Sequence, residues 1–280
     1  MKTFSRTLPQ KSKVVYCLTR GYIGFGKYHY LKLIVRNNFI RKALKKDSDI
    51  YDFVIFHEGN VNRLDQFAIK WLSGIKEIKF REVTDYFMVP EGVSLGKSNA
   101  HGFGYELMCL FQYQRVWGYL AQYDEAVRID DDCLISTIPK LKTDQVFACA
   151  SLSTETHEPT NITLLDHLRQ KGFDKFYDHA FPYTNLFVTR VDFWRNPDVV
   201  DFLGYISTSP NSLLNRWGDL PVIGVAHKAF ANWDASSAII PNYEYDHLSH
   251  NSRIVNGEVV TLKSGRLPLL KIVIARWAKF

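Results

Sequence analysis

No apolar run in this sequence reaches the ~18–20 residues that a bilayer-spanning helix requires. The first residues, Met1 to Lys13, are polar and basic with no apolar stretch, so they do not read as a secretory signal. Cysteine is scarce, limited to Cys17, Cys109, Cys133 and Cys149, and no two form a CxxC pair. A zinc site and a disulfide framework are therefore not expected, and each thiol, set among apolar neighbours, reads as buried. Neither a Walker loop nor HExxH occurs, which leaves NTPase and zincin readings without support. Long charged blocks and Pro/Gly-rich stretches are missing too, so bulk disorder is excluded. The net charge of +6 favours anionic ligands without demanding nucleic acid. What these absences leave is a soluble protein, expected in the cytoplasm. The apolar, basic tail Leu267 to Phe280 reads as a segment docked on the core, with peripheral membrane contact as the lesser alternative.

What is present is enough apolar surface, 46% of 280 residues, to bury one large core or two small ones. In the first half, short β-branched and aromatic runs alternate with helical spacing. Strands are expected over Lys13–Leu18, Tyr51–Phe56, Ile75–Val83 and Glu125–Ile129, and helices over Tyr28–Lys46, Val61–Ser73 and Tyr105–Tyr123. That alternation implies an α/β fold with a mostly parallel sheet flanked by helices. In the second half, strands are expected over Gln145–Leu152 and Tyr183–Val191, a short helix over Leu164–Lys171, and an apolar helix after Asp219.

Chemistry concentrates where Glu125–Ile129 ends in Asp130-Asp131-Asp132. In open α/β sheets ligands sit beyond the carboxyl ends of strands. Two carboxylates one residue apart there, Asp130 and Asp132, suit a hard divalent cation completed by a substrate diphosphate; the bland alternative is a solvated acidic turn. Tyr245-Asp246-His247 offers an imidazole as a third ligand, against the reading of a surface histidine. Arg216-Trp217-Gly218-Asp219 precedes an apolar helix. There Asp219 reads as an N-cap or a cleft carboxylate, and Trp217 as core or a platform for a sugar ring. The turn after the first strand, with Gly21, Gly24 and Gly26, has GxxGxG spacing rather than GxGxxG, which argues against a redox Rossmann enzyme.

In order along the chain, Gly104-Tyr105-Glu106-Leu107-Met108-Cys109, Arg128-Ile129-Asp130, Tyr183-Thr184-Asn185-Leu186-Phe187-Val188, Asp192-Phe193-Trp194-Arg195, Arg216-Trp217-Gly218-Asp219-Leu220-Pro221-Val222 and Tyr245 to His247 resemble motifs of the fungal α-1,2-mannosyltransferase family. The resemblance runs from about residue 14 to 250. It implies a single GT-A glycosyltransferase domain, with a nucleotide-sugar half over 13–135 and an acceptor and catalytic half over 136–280. It further implies Mn²⁺ or Mg²⁺ held by Asp130, Asp132 and His247. The donor would lie near Thr19, Arg20, Tyr105, Arg128, Asp130 and Asp131, and a glycan acceptor near Arg216 and Trp217. One position departs from the family: its nucleophile candidate, a glutamate, is replaced by Phe187. The expectation is therefore inversion, with Asp219 as base for the acceptor hydroxyl; retention without a protein nucleophile is the alternative. A compact form resembles the glycosyltransferases of bacteria and chloroviruses, which makes UDP-xylose a candidate donor beside GDP-mannose. A sugar nucleotidyltransferase and a non-catalytic glycan-binding protein are the other readings.

Overall fold

The computed structural model describes residues 12–19, 30–59, 61–87, 103–231 and 235–261. Its centre is a six-stranded sheet in the order β3-β2-β1-β4-β9-β6. Four neighbours, β1 (Lys13–Thr19), β2 (Tyr51–His57), β3 (Ile78–Glu82) and β4 (Glu125–Ile129), run parallel. β1 is apolar on both faces, with Val14, Val15, Tyr16 and Cys17 fully buried, as a central parallel strand covered on both sides must be.

Helices α1 (Leu31–Lys46) and α2 (Arg63–Ser73) return the chain between the parallel strands. Asn62 starts α2 with a capping box shared with Asp65, and Gly74 ends it in the left-handed conformation, φ 64°. Next come α3 (Phe103–Leu110), a π-helical turn over Phe111–Arg115 and α4 (Val116–Tyr119), nearly the single helix the sequence predicts. β5 (Cys133–Ile135), β6 (Phe147–Cys149) and β7 (Leu152–Ser153) follow. The one strand expected over Gln145–Leu152 is thus two, because β6 joins the main sheet while β7 pairs with β8 (Phe181–Pro182). Between them lies α5 (Glu158–Arg169).

β9 (Leu186–Arg190) inserts antiparallel between β4 and β6, the reversal that makes the sheet mixed. Helices α6 (Pro197–Ser207), α7 (Asn211–Leu214) and α8 (Asp219–Phe230) then cover one face, and α9 (Ala235–Ala238) precedes the last strands. β10 (Glu244–His247), β11 (Ser252–Val255) and β12 (Glu258–Thr261) form a second, antiparallel sheet with β5. Two cores result. The one beneath α3, α6 and α8 is aromatic, with Trp117 and Trp194 stacked at 4.4 Å; the one beneath α1 and α2 is aliphatic, built on residues such as Ile40, Ile55 and Val127. Gly224 lets α8 lie against β8, since a Cβ there would sit 2.5 Å from the Phe181 ring. The glycine turn at 21–26, Arg20, and the tail expected to dock or touch a membrane lie outside the described residues.

Candidate functional site

Asp130, Asp131 and Asp132 leave β4 in a turn closed by the Cys133 amide donating to the Asp130 carbonyl at 3.1 Å. Their side chains diverge. Asp130 accepts from Arg128 Nε at 2.9 Å, two residues back on the same strand face. Asp131 accepts from the Thr19 hydroxyl at the end of β1, 2.8 Å away. Asp132, 5% exposed, faces His247 Nε2 at 3.4 Å and accepts from the Ser249 amide at 2.9 Å. The pairing of β5 with β10 sets this last contact, because His247 is directly opposite Cys133.

Arg128 is the hub of a second cluster. It is buried, pairs with Asp130 and with Asp219, and lies over the Phe187 ring at 5.8 Å. Phe187 is its cross-strand partner on β9. Asp219 occupies the first turn of α8, where a carboxylate is favoured by the helix dipole, and Gly218 rather than Asp219 is the N-cap. Its other oxygen accepts from the Cys109 thiol at 3.8 Å. Tyr105 adjoins Cys109, and the Arg216 guanidinium covers the Tyr105 ring at 5.1 Å. One polar chain therefore links α3, the α7–α8 turn, α8 and β4.

The protonation equilibria follow from these contacts. Burial pushes Asp131 up to about 6, helped by Asp132 and opposed by Thr19. Enclosure by protein also raises Asp130, against the pull of Arg128. Burial would raise Asp132 as well, but His247 and the Ser249 hydrogen bonds outweigh it and hold this carboxyl well below the ordinary range. For Arg128, burial is outweighed by Asp130 and Asp219, which keep it cationic.

The donor set fits a hard divalent cation. Among the described residues, ligand atoms of Asp132, Cys133 and His247 lie within 4.8 Å of one another. Burial raises the Cys133 thiol, and soft sulfur is a poor match for Mn²⁺ or Mg²⁺, so the donors suited to such an ion are those of Asp132 and His247. A carboxylate oxygen and an imidazole nitrogen remain, a set that suits Mn²⁺ or Mg²⁺ with diphosphate and water completing the shell. The expected partnership of Asp130 with Asp132 on one cation is not the arrangement seen, because Arg128 holds Asp130.

His247 is oriented by a shell that the sequence motifs contained without a role. Its Nδ1 accepts from the Asn185 amide at 2.9 Å and faces the Tyr183 hydroxyl at 3.1 Å. Asn185 in turn accepts from the Tyr245 hydroxyl at 2.7 Å. A cation on Nε2 requires the proton on Nδ1. Turning the Asn185 amide over supplies an acceptor for that proton and a donor to Tyr245 without changing shape. Lys32, in the first turn of α1, donates to the Ser249 hydroxyl at 3.2 Å and brings a cation beside the same site.

The sequence-predicted residues therefore separate. Thr19, Arg128, Asp130, Asp131, Asp132, His247 and Asp219 meet at the strand ends, with Tyr105 and Arg216 joined through Cys109. Trp217 corrects the expectation of a sugar platform: it is 1% exposed, its Nε1 donates to Thr163 at 2.8 Å, and its ring lies 4.9 Å from His167. A ring with no open face cannot stack on a ligand. The letters Gly92-Val93-Ser94-Leu95-Gly96 fit GxSxG and lie outside the described residues.

The fold has solved counterparts. Core-mannan synthase A from Aspergillus fumigatus, in its Mn/GDP form, superposes with a TM-score of 0.70 at 12% identity, over 87% of this chain and 76% of that one. The mannosyltransferase Ktr4p from S. cerevisiae, in complex with GDP, gives 0.65 at 14% identity over 96% and 82%. These likenesses establish a GT-A-like α/β fold. In sequence, the O-glycoside alpha-1,2-mannosyltransferase omh1 of Schizosaccharomyces pombe is 34% identical over 58 residues. That match spans 21% of this chain and 15% of the relative's length. No family model matches the chain.

Proposed function

We propose that this chain is a glycosyltransferase that moves a sugar from a nucleoside-diphosphate donor to a hydroxyl of a glycan acceptor. The observation that carries the reading is the Asp132–His247 pair, made where the turn after parallel strand β4 meets antiparallel strand β10, in a fold shared with proteins solved with GDP. GDP-mannose is the first donor to test, since both solved counterparts are named for mannan or mannosyl chemistry; UDP-xylose is the second.

Asp132 and His247 would hold Mn²⁺ or Mg²⁺. When bound, such an ion supplies positive charge against the diphosphate as the sugar leaves. Arg128 and Lys32 add protein cations around the same strand ends, and Thr19 with Asp131 lines the end of β1 on the nucleotide side. Tyr105 borders the donor side, and Arg216, which lies over its ring, borders the acceptor side. Phe187, fully buried, stands where the family has its glutamate, and its ring can neither attack the anomeric carbon nor carry a proton.

The assignment of Asp219 as base changes with the geometry. Its oxygens are taken by Arg128 and Cys109, so accepting a proton there means breaking a buried ion pair. We read Asp219 as the group that positions Arg128. The acceptor oxygen then bonds to the anomeric carbon as the carbon–oxygen bond to the diphosphate breaks, and the acceptor proton passes to the departing diphosphate oxygen. The product keeps the donor's configuration.

Incubation with GDP-mannose or UDP-xylose and Mn²⁺ tests the proposal through slow donor hydrolysis and transfer, followed by NMR of the product anomer. An inverted product would return Asp219 to the role of base. Pyrophosphate release from a nucleoside triphosphate would favour a nucleotidyltransferase, and glycan binding without turnover would favour a lectin.

A further inference from the structure

Helix α2 is amphipathic with its apolar side outward. Ile69 and Ser73 are buried against the domain. On the opposite side Leu64, Phe67, Trp71 and Leu72 are 80%, 69%, 74% and 48% exposed. At 100° per residue these four span one arc of about 140°. Four large apolar side chains on one short helix form a contiguous patch, not the scattered exposure normal for a monomer surface.

Charge at the patch edge identifies its occupant. Arg63 and Lys70 lie on one flank of the arc and Lys76 follows the helix, while Arg41 of α1 reaches Gly74 at its end. Of the nearby carboxylates, Asp65 is engaged in the capping box and Glu77 is exposed. A two-fold contact between copies of this chain would set the cationic rim against itself. We propose that α2 docks on an anionic lipid bilayer. Trp71, Phe67 and Leu64 enter the headgroup–acyl boundary, and Arg63, Lys70 and Lys76 contact lipid phosphates. The domain rests on the surface through this helix, which at 11 residues is too short to cross it.

Flotation of the full chain with vesicles tests this, using phosphatidylcholine mixed with phosphatidylserine, and phosphatidylcholine alone. The wild type is expected to float with the mixed vesicles, less at high salt. The Phe67→Ser/Trp71→Ser variant is expected to lose about tenfold in apparent affinity, with an unchanged thermal melt because these side chains support no core. Arg63→Ser/Lys70→Ser should lower binding to the mixed vesicles alone. Absence of wild-type flotation overturns the proposal, as does equal flotation of the Phe67→Ser/Trp71→Ser variant. A concentration-dependent dimer in light scattering that the same variant abolishes would assign the face to a second copy instead.

Discussion

At the end of β4 the chain buries Arg128, Asp132, Asp219 and His247; on α2 it leaves Leu64, Phe67 and Trp71 in water. The two regions depart from ordinary burial in opposite directions. In the first, each charge has a partner, so the cost of desolvation is met by ion pairs and hydrogen bonds that fix the geometry. In the second, nothing among the described residues covers the rings, and the helix is held by its small inner face and its caps. Buried charge is thus built into the fold's stability, whereas the exposed apolar arc contributes little to it. Substitutions should separate the two regions by effect.

The largest effect is expected at Asp132. Asp132→Asn keeps the shape and an acceptor for Ser249 but removes the charge. Transfer should fall by about a thousandfold, since metal charge stabilisation is worth several kcal/mol; steady-state kinetics at saturating Mn²⁺ measure it. Next is Asp219→Ala, which strands one side of buried Arg128 and should cost about 3 kcal/mol in urea unfolding, with Asp219→Asn costing less. A loss of activity in Asp219→Asn larger than its loss of stability explains would restore a chemical role.

His227 sharpens the contrast because it is buried and polar, yet neither ring nitrogen has a hydrogen-bond partner among the described residues. It stacks on Phe193 at 4.5 Å. Burial lowers its pKa well below 6.5, so the unfolded chain binds the proton more readily. The stability it contributes is present above pH 6.5 and is lost as pH falls, by up to about 1.4 kcal/mol per pH unit. His227→Phe should flatten the acid side of a melting-temperature profile and change little at pH 8. The smallest effect belongs to α2: Trp71→Ser should shift unfolding by less than about 0.5 kcal/mol, and a larger loss would mean the ring packs on the domain.

Much of this was legible in the sequence. β1 and β2 are short and largely apolar on both faces, β4 is short and wholly buried, and all three lie where the pattern put them. The aspartates were locatable because they follow such a strand. What escaped depends on contacts between distant segments. Nothing local marks β9 as antiparallel, or splits the strand expected over Gln145–Leu152 between two sheets. Arg216 and Trp217 are adjacent yet face opposite environments, one over Tyr105 and one in the core, because the left-handed Arg216 (φ 54°) lies at the turn into α8. Asn185 stood inside a quoted motif, and only the approach of β10 to β5 shows that it orients His247. The outward face of α2 was visible as periodicity, but periodicity does not say which side meets the core.

The central claim is that Asp132 and His247 hold a divalent cation where a nucleoside diphosphate binds. Titration of Mn²⁺ into the protein, read by loss of the free-ion EPR signal with and without GDP, tests it directly. The account predicts a single site that tightens with GDP, and that Asp132→Asn and His247→Ala abolish while Asn185→Ala weakens by about ten- to a hundredfold. Undiminished Mn²⁺ binding in Asp132→Asn and His247→Ala would contradict it.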